Sequence, residues 1–323
     1  MSVNLVITID TEEDCWNNYD RQCNPVENIK QIPMLQKIFN RYGALPTYLI
    51  SYPVATHKNS SRILRQIFDS GQCEIGTHCH PWNTPPFEER ISIRNSMLCN
   101  LPAELQYRKL ETLHRTIGEQ FGLEPTSFRT GRWGFNSHVA RAIYQLGYRV
   151  DSSITPLVDW TTHHGLDFSH APLFPYRFDP DDILHEKKEG TLLEIPPSIG
   201  FLQTNMERCR KLRRLILNTP LYRFHLLGIL DTLGLLNRRW LSPEHSTVEE
   251  MITLSKALIK NGHTVLNLSF HSTTLLPGKT PFVRTMQDLS IFLKKIERFI
   301  QFAAGNNWKF SVLSRVLENQ FPV

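Results

Sequence analysis

Short β-rich runs alternate along this chain with amphipathic runs that stop at glycine, and that alternation points to a parallel α/β architecture. Val3–Ile9 is the first β-rich run. Asn28–Tyr42 follows, with Ile29, Ile32, Leu35, Ile38 and Phe39 at helical spacing and Gly43 as its stop. Leu45–Ile50 predicts a second strand, Ser61–Phe68 a helix ended by Gly71, and Cys73–His78 a third strand. Pro102–Phe121 predicts a long helix stopped by Gly122. The rhythm continues with strand Thr126–Arg129, helix Ser137–Leu146, strand Tyr148–Ile154 and strand Leu192–Ile195. It closes with helix Val248–Lys260, strand Thr264–Phe270, helix Thr285–Ala304 and strand Lys309–Val312. Such a series builds either a barrel or an open doubly wound sheet, and about seven units close a barrel. No GxGxxG follows the first strand, so the dinucleotide-binding form has no support.

Two segments break the pattern. Pro156–Gly190 is loop-rich. Arg208–Trp240 carries eight Arg or Lys among many Leu and Ile. A basic amphipathic stretch can lie on an anionic membrane surface. The plainer expectation is a helical pair covering the barrel, its basic face in water. The run is leucine-rich rather than interleaved with aromatics, and the net charge is only +5, so nucleic acid is not an expected partner. The six cysteines form no CxxC pair, no secretory leader is evident and no stretch of 18 apolar residues occurs. These features predict a cytoplasmic protein, at most peripheral to the inner face of the membrane.

Reactive residues gather after the predicted strands. Asp10-Thr11-Glu12-Glu13-Asp14 follows the first. In parallel α/β folds active sites lie at that end, and Asp10 and Glu12, two apart, project to one side while the chain stays extended. The competing reading is a helix N-terminus, where acids suit the dipole. His78-Cys79-His80 follows the third strand and presents two imidazoles to one point. Two His and one carboxylate would hold a divalent cation with positions left for water and substrate. Zn²⁺ is the default for that set, with Co²⁺, Ni²⁺ or Mn²⁺ as alternatives. Phe128-Arg129-Thr130-Gly131-Arg132-Trp133-Gly134 follows the fourth strand and offers two arginines and a glycine turn to a carboxylate or a substrate. His271 ends the strand from Thr264 and is a candidate general acid or base.

These four sets, in this order, resemble the polysaccharide deacetylase family, the NodB-homology domain, in particular a subgroup with an HxHPWxTPPF motif, here His78-Cys79-His80-Pro81-Trp82-Asn83-Thr84-Pro85-Pro86-Phe87. The resemblance implies a distorted (β/α)7 TIM-like barrel spanning residues 1–323 as one domain, with a basic helical insertion at about 202–246. It implies that Glu12, His78 and His80 hold the metal and that Asp10 is the catalytic base, the two acids being open to exchange of roles. Arg129 would pair with the base and His271 would act as general acid. Trp82, Arg132 and Trp133 would line the substrate pocket. The family's remaining acid maps onto Asp151, with Asp159 as second choice. The implied reaction is metal-dependent hydrolysis of an N-acetyl or related acyl group on a sugar, as a polysaccharide or lipid-linked precursor. Two rival readings are a non-catalytic glycan-binding barrel and a glycoside hydrolase using Asp10 and Glu12; the latter chemistry has no use for the histidines.

Overall fold

The β-rich runs form strands and the amphipathic runs pack over them, as the alternation requires. The computed structural model describes residues 2–22, 24–220 and 224–320. Its strands are β1 Asn4–Thr11, β2 Pro46–Ile50, β3 Glu74–Cys79, β4 Ser127–Thr130, β5 Val150–Asp151 and β6 Tyr176–Phe178, followed by β7 Leu192–Glu194, β8 Ile199–Phe201, β9 Arg238–Trp240, β10 Val265–His271 and β11 Lys309–Ser311. Seven of them run parallel in the order β10-β1-β2-β3-β4-β5-β7. The sheet curls into a distorted (β/α)7 barrel, so the open doubly wound alternative does not form. β6 adds an antiparallel edge to β7, and β11 lies parallel against the first half of β1.

β7 and β10 are not paired directly. The chain after β7 and the chain after β9 fill the gap: Ser198 N–H donates to the Asn267 carbonyl at 3.1 Å, Leu241 N–H to Ser198 at 2.8 Å, and Ser269 N–H to Leu241 at 3.1 Å. β8 and β9 form an antiparallel pair, and the basic segment between them supplies helices Met206–Leu217 and Leu226–Thr232. Residues 221–223 of that segment lie outside the described residues. Several of its leucines, among them Leu215, Leu233 and Leu235, are exposed. No helix among the described residues is long and apolar enough to cross a membrane.

Strand phase sorts the side chains. Leu5, Ile7 and Ile9 of β1 face outward into the main core, where helices such as Ile32–Tyr42, Ala103–Phe121 and Met286–Gly305 cover the sheet. Val6, Leu49, Val150, Leu193 and Val265 face inward and pack with Leu313 and Val316 of the helix Leu313–Gln320, which fills the barrel near the N-terminal ends of its strands. Further along the same inward rows the residues become polar: Thr8, Asp10, His78, Arg129, Ser152, Asn267 and His271. Thr8 donates to Asn267 Oδ1 at 2.9 Å inside this layer. The apolar plug is thus separated from a polar mouth by two residues of strand, the period at which side chains return to one face. Helix Val248–Lys260 starts on a capping box, Thr247 with Glu250, which fixes where β9 hands over to the last βα units.

Candidate metal centre and active site

The acidic run after β1 divides by function as the chain leaves the strand. Asp10 is still in register with His271 of β10. Glu12 turns its Oε2 to within 3.2 Å of both His78 Nε2 and His80 Nε2. Glu13 reaches His80 from the other side, with Oε1 2.9 Å from Nδ1. Asp14 accepts the N–H groups of Glu27 and Asn28 at 2.8 and 3.1 Å, so it anchors the short turn Glu27–Gln31 across the loop, and no helix starts at the acidic run itself.

Glu12, His78 and His80 are buried, and one ligand atom from each lies within 4.8 Å of the others. The donor chemistry suits a divalent cation. His78 Nδ1 is 3.1 Å from the Arg129 carbonyl, which can only accept, so Nδ1 carries a proton and Nε2 is the nitrogen turned toward Glu12. The Glu13 carboxylate fixes His80 in the same sense. Two oriented Nε2 atoms and one carboxylate oxygen therefore converge, with hydrogen-bonding partners behind both rings. Glu12 is held well below the usual carboxylate range: burial would raise it, but His78 and His80 outweigh that penalty. Burial would depress His80, yet Glu13 and Glu12 hold its imidazolium up to about 10, so a proton occupies the ring until a cation displaces it.

Asp10 belongs to a neighbouring network. Its Oδ1 accepts from Arg129 Nη1 at 2.6 Å and its Oδ2 lies 3.7 Å from His271 Nε2. Arg129 is fully buried and directs its remaining donors to Thr8 Oγ1 and to the Ser152 hydroxyl and carbonyl at 2.7–2.8 Å. Burial opposes ionisation of Asp10, but Arg129, His78 and His271 hold its carboxyl below the ordinary value. His271 Nδ1 is 2.9 Å from Glu244 Oε2, and Glu244 Oε1 also accepts the His271 N–H at 3.0 Å. Burial works against the imidazolium, but Glu244 raises it to about 10.

Trp82 stacks on His80 at 4.1 Å between ring centroids and 22° between planes. Arg132 and Trp133 occupy the left-handed region at φ 53° and 59°, a strained turn costing on the order of 1 kcal/mol per residue. That turn brings Trp133 under the pocket and places Arg132 over the Tyr19 ring at 4.6 Å. Gly131 allows the close approach: a Cβ there would come within 2.7 Å of His80 Nε2. The pocket measures about 730 Å³, and five of the chain's six tryptophans line it.

Asp151 requires a correction. Its strand phase is opposite to that of Arg129, and it points outward, away from the pocket. There it accepts from the Ser153 hydroxyl at 2.6 Å and pairs with Glu194, its register partner. Burial raises both carboxyls, Glu194 the more, so the pair shares a proton. Ser152 is the inward residue of this stretch. The second choice, Asp159, forms an isolated bridge with Asp167 and does not line the pocket. The acid that meets His271 is Glu244, in the turn after β9, which no sequence pattern marks. Glu13 was equally unassigned, although its position in the acidic run was a signal. Lys109 was missed as well: fully buried, it donates to the carbonyls of Pro81, Thr84 and Pro86 at 2.7–2.8 Å and meets Glu89 at 3.0 Å, clamping the loop after His80.

No protein-family model matches the sequence, and no curated protein matches it. Solved structures share its fold at low identity. A Mycobacterium smegmatis protein provisionally described as a polysaccharide deacetylase matches over 98% of this chain and 89% of its own, at 14% identity and TM-score 0.53. A Parabacteroides distasonis protein provisionally described as a glycoside hydrolase or deacetylase matches over 98% and 71%, at 9% identity and TM-score 0.56. The 4-α-glucanotransferase of Thermococcus litoralis matches over 99% of this chain but 41% of its own, at 13% identity and TM-score 0.56. At such identities the likeness is one of fold, and the chain shares with these proteins a curled (β/α)7 barrel.

Proposed function

We propose that this chain is a metal-dependent hydrolase that removes an N-acetyl or related acyl group from an amino sugar. The observation that carries the reading is the pair of adjoining constellations in one pocket, Glu12–His78–His80 beside Arg129–Asp10–His271–Glu244. Glu12 Oε2, His78 Nε2 and His80 Nε2 would hold the cation, Zn²⁺ by the chemistry of the set. A divalent cation held there supplies Lewis acidity toward an acyl oxygen and makes water a better nucleophile at neutral pH.

The remaining work falls to the chain's own groups. Asp10, kept ionised by Arg129, accepts a proton from the attacking water at its Oδ2. His271 Nε2, 3.7 Å from that same oxygen, gives a proton to the departing sugar nitrogen. Glu244 keeps His271 protonated and its ring aligned. Arg129 never meets substrate; it positions Asp10. Trp82, Trp133 and Arg132 orient the sugar, and the aromatic walls exclude water from the acyl group.

A glycoside hydrolase reading is weaker because Asp10 and Glu12 are committed to Arg129 and to the histidines. The proposal is tested by His271→Ala. Acetate release from N-acetylated oligosaccharides should fall by about 10²–10⁴-fold with metal content unchanged. Loss of the metal instead would make His271 a ligand and remove its role as acid.

A further inference from the structure

The charged groups lining the pocket are unequally committed. Asp10 is bound by Arg129, Glu12 lies against both histidines, Glu13 against His80 and Glu244 against His271. The pocket's two arginines differ: among the described residues neither Arg132 nor Arg238 has a carboxylate within ion-pair distance. Arg132 donates to the Ile93 carbonyl and the Ser96 hydroxyl, and Arg238 Nη1 donates to the Leu157 carbonyl at 2.7 Å.

The phase of β9 explains why Arg238 is unpaired. Arg238 and Trp240, two apart, face the pocket. Arg239 faces the other way and binds Asp231 at 2.6 Å and Glu250 at 2.6 Å, so the acids nearest this strand are already engaged. Burial depresses the Arg238 guanidinium, and a second half-buried guanidinium, Arg213 of helix Met206–Leu217, lies near enough to depress it further. The acids that act on this pair from a distance are Asp231 and Asp167, and neither forms an ion pair with it. Two partly desolvated like charges are unfavourable unless an anion joins them. A guanidinium offers parallel N–H donors that match an oxyanion. Trp240, 5.9 Å from Trp133 between ring centroids, gives a sugar ring an apolar face beside it.

We infer that Arg238, backed by Arg213, is an anion-binding subsite, and that the substrate is an acylated amino sugar carrying a phosphate or carboxylate rather than a neutral glycan. This inference rests on the deacylase reading for the word substrate, while the subsite itself is a statement about binding. It also gives the basic insertion a function in the pocket, since both arginines belong to that segment.

The test is calorimetric binding to the metal-loaded protein of N-acetylglucosamine, N-acetylglucosamine 1-phosphate and N-acetylmuramic acid, with inorganic phosphate titrated separately to account for direct contact with the metal. The expected result is that one charged sugar binds at least about tenfold tighter than the neutral one. Which of the two gains identifies the anion. Arg238→Gln should erase the preference, Arg213→Gln should reduce it, and Arg238→Lys should retain part of it, each with an unchanged thermal transition. Equal affinity for neutral and charged sugars, a preference that survives in Arg238→Gln, or no binding of either charged sugar overturns the inference. Charge-selective binding without acetate release from any probe would leave the subsite standing and remove the deacylase reading. Acetate release without charge preference would do the reverse.

Discussion

Replacing Glu13 by Gln separates two opposing effects on metal affinity. In the native site His80 Nδ1 lies 2.9 Å from Glu13 and Nε2 lies 3.2 Å from Glu12. Burial disfavours the charged ring, but Glu13 and then Glu12 outweigh it and hold His80 at about 10. A cation can use Nε2 only after that proton has left. At pH 7 the competition spans about three pH units and costs about 4 kcal/mol of metal affinity. Glu13→Gln removes the charge that makes the imidazole a strong, fixed donor, weakening intrinsic affinity about 10–100-fold, or ~1.4–2.7 kcal/mol. The same change lowers the His80 pKa and relieves part of the proton competition. Near pH 7 the two effects oppose each other; at higher pH only the loss remains.

Competition against a chromophoric chelator in half-unit steps from pH 6 to 8.5 reads both effects. Native log affinity should climb by about one per pH unit across that range. The variant should start close to native and flatten as the pH passes its lowered pKa, so the gap widens with pH. Parallel slopes in the two proteins, or equal affinity throughout, would refute the claim that Glu13 acts through His80.

Further substitutions probe other parts of the account. Gly131→Ala would push a methyl group into the His80 ring; metal content should fall while the circular dichroism spectrum stays native, and a fully metallated variant would contradict the packing. Glu244→Gln removes the charge that raises His271, so the proton-donating form is lost at lower pH. The basic limb of kcat/KM should move down toward neutrality, and an unmoved limb would show that His271 is not the titrating acid. Lys109→Met removes the donor shared by the carbonyls of Pro81, Thr84 and Pro86 and leaves the buried Glu89 side chain with Arg21 at 3.3 Å in place of two cations. Stability should drop by about 3–5 kcal/mol in urea denaturation, and a neutral effect would mean the loop does not depend on the clamp.

Much of the barrel was legible because its strands and helices are periodic and its helices stop at glycine. Val248–Lys260 forms as a helix with the predicted bounds, and the long helix Ala103–Phe121 starts one residue later than predicted. The sites after β1, β3, β4 and β10 were legible because strand ends in this architecture converge. What failed was phase in the shortest strands. β5 is two residues long, too short for alternation to show which of Asp151 and Ser152 faces inward. Glu244 was hidden for another reason: it reaches His271 from a turn 27 residues away, after a helical excursion that breaks the βα rhythm. β8 and β9 were hidden likewise, and with them the pocket positions of Arg238 and Trp240. Lys109 reads as one more exposed helical lysine, since nothing local records three carbonyls waiting above it.

The central claim is that acyl hydrolysis in this pocket depends on a cation held by Glu12, His78 and His80. Its most direct test is acetate release from N-acetylated amino sugars, charged and neutral, by the metal-loaded protein, by chelator-stripped protein and by stripped protein given Zn²⁺ back. The account predicts acetate from the loaded protein, none from the stripped protein, and recovery at one equivalent of metal per chain. Acetate release that survives stripping, or a metal-saturated protein that releases none from any of these sugars, would contradict it.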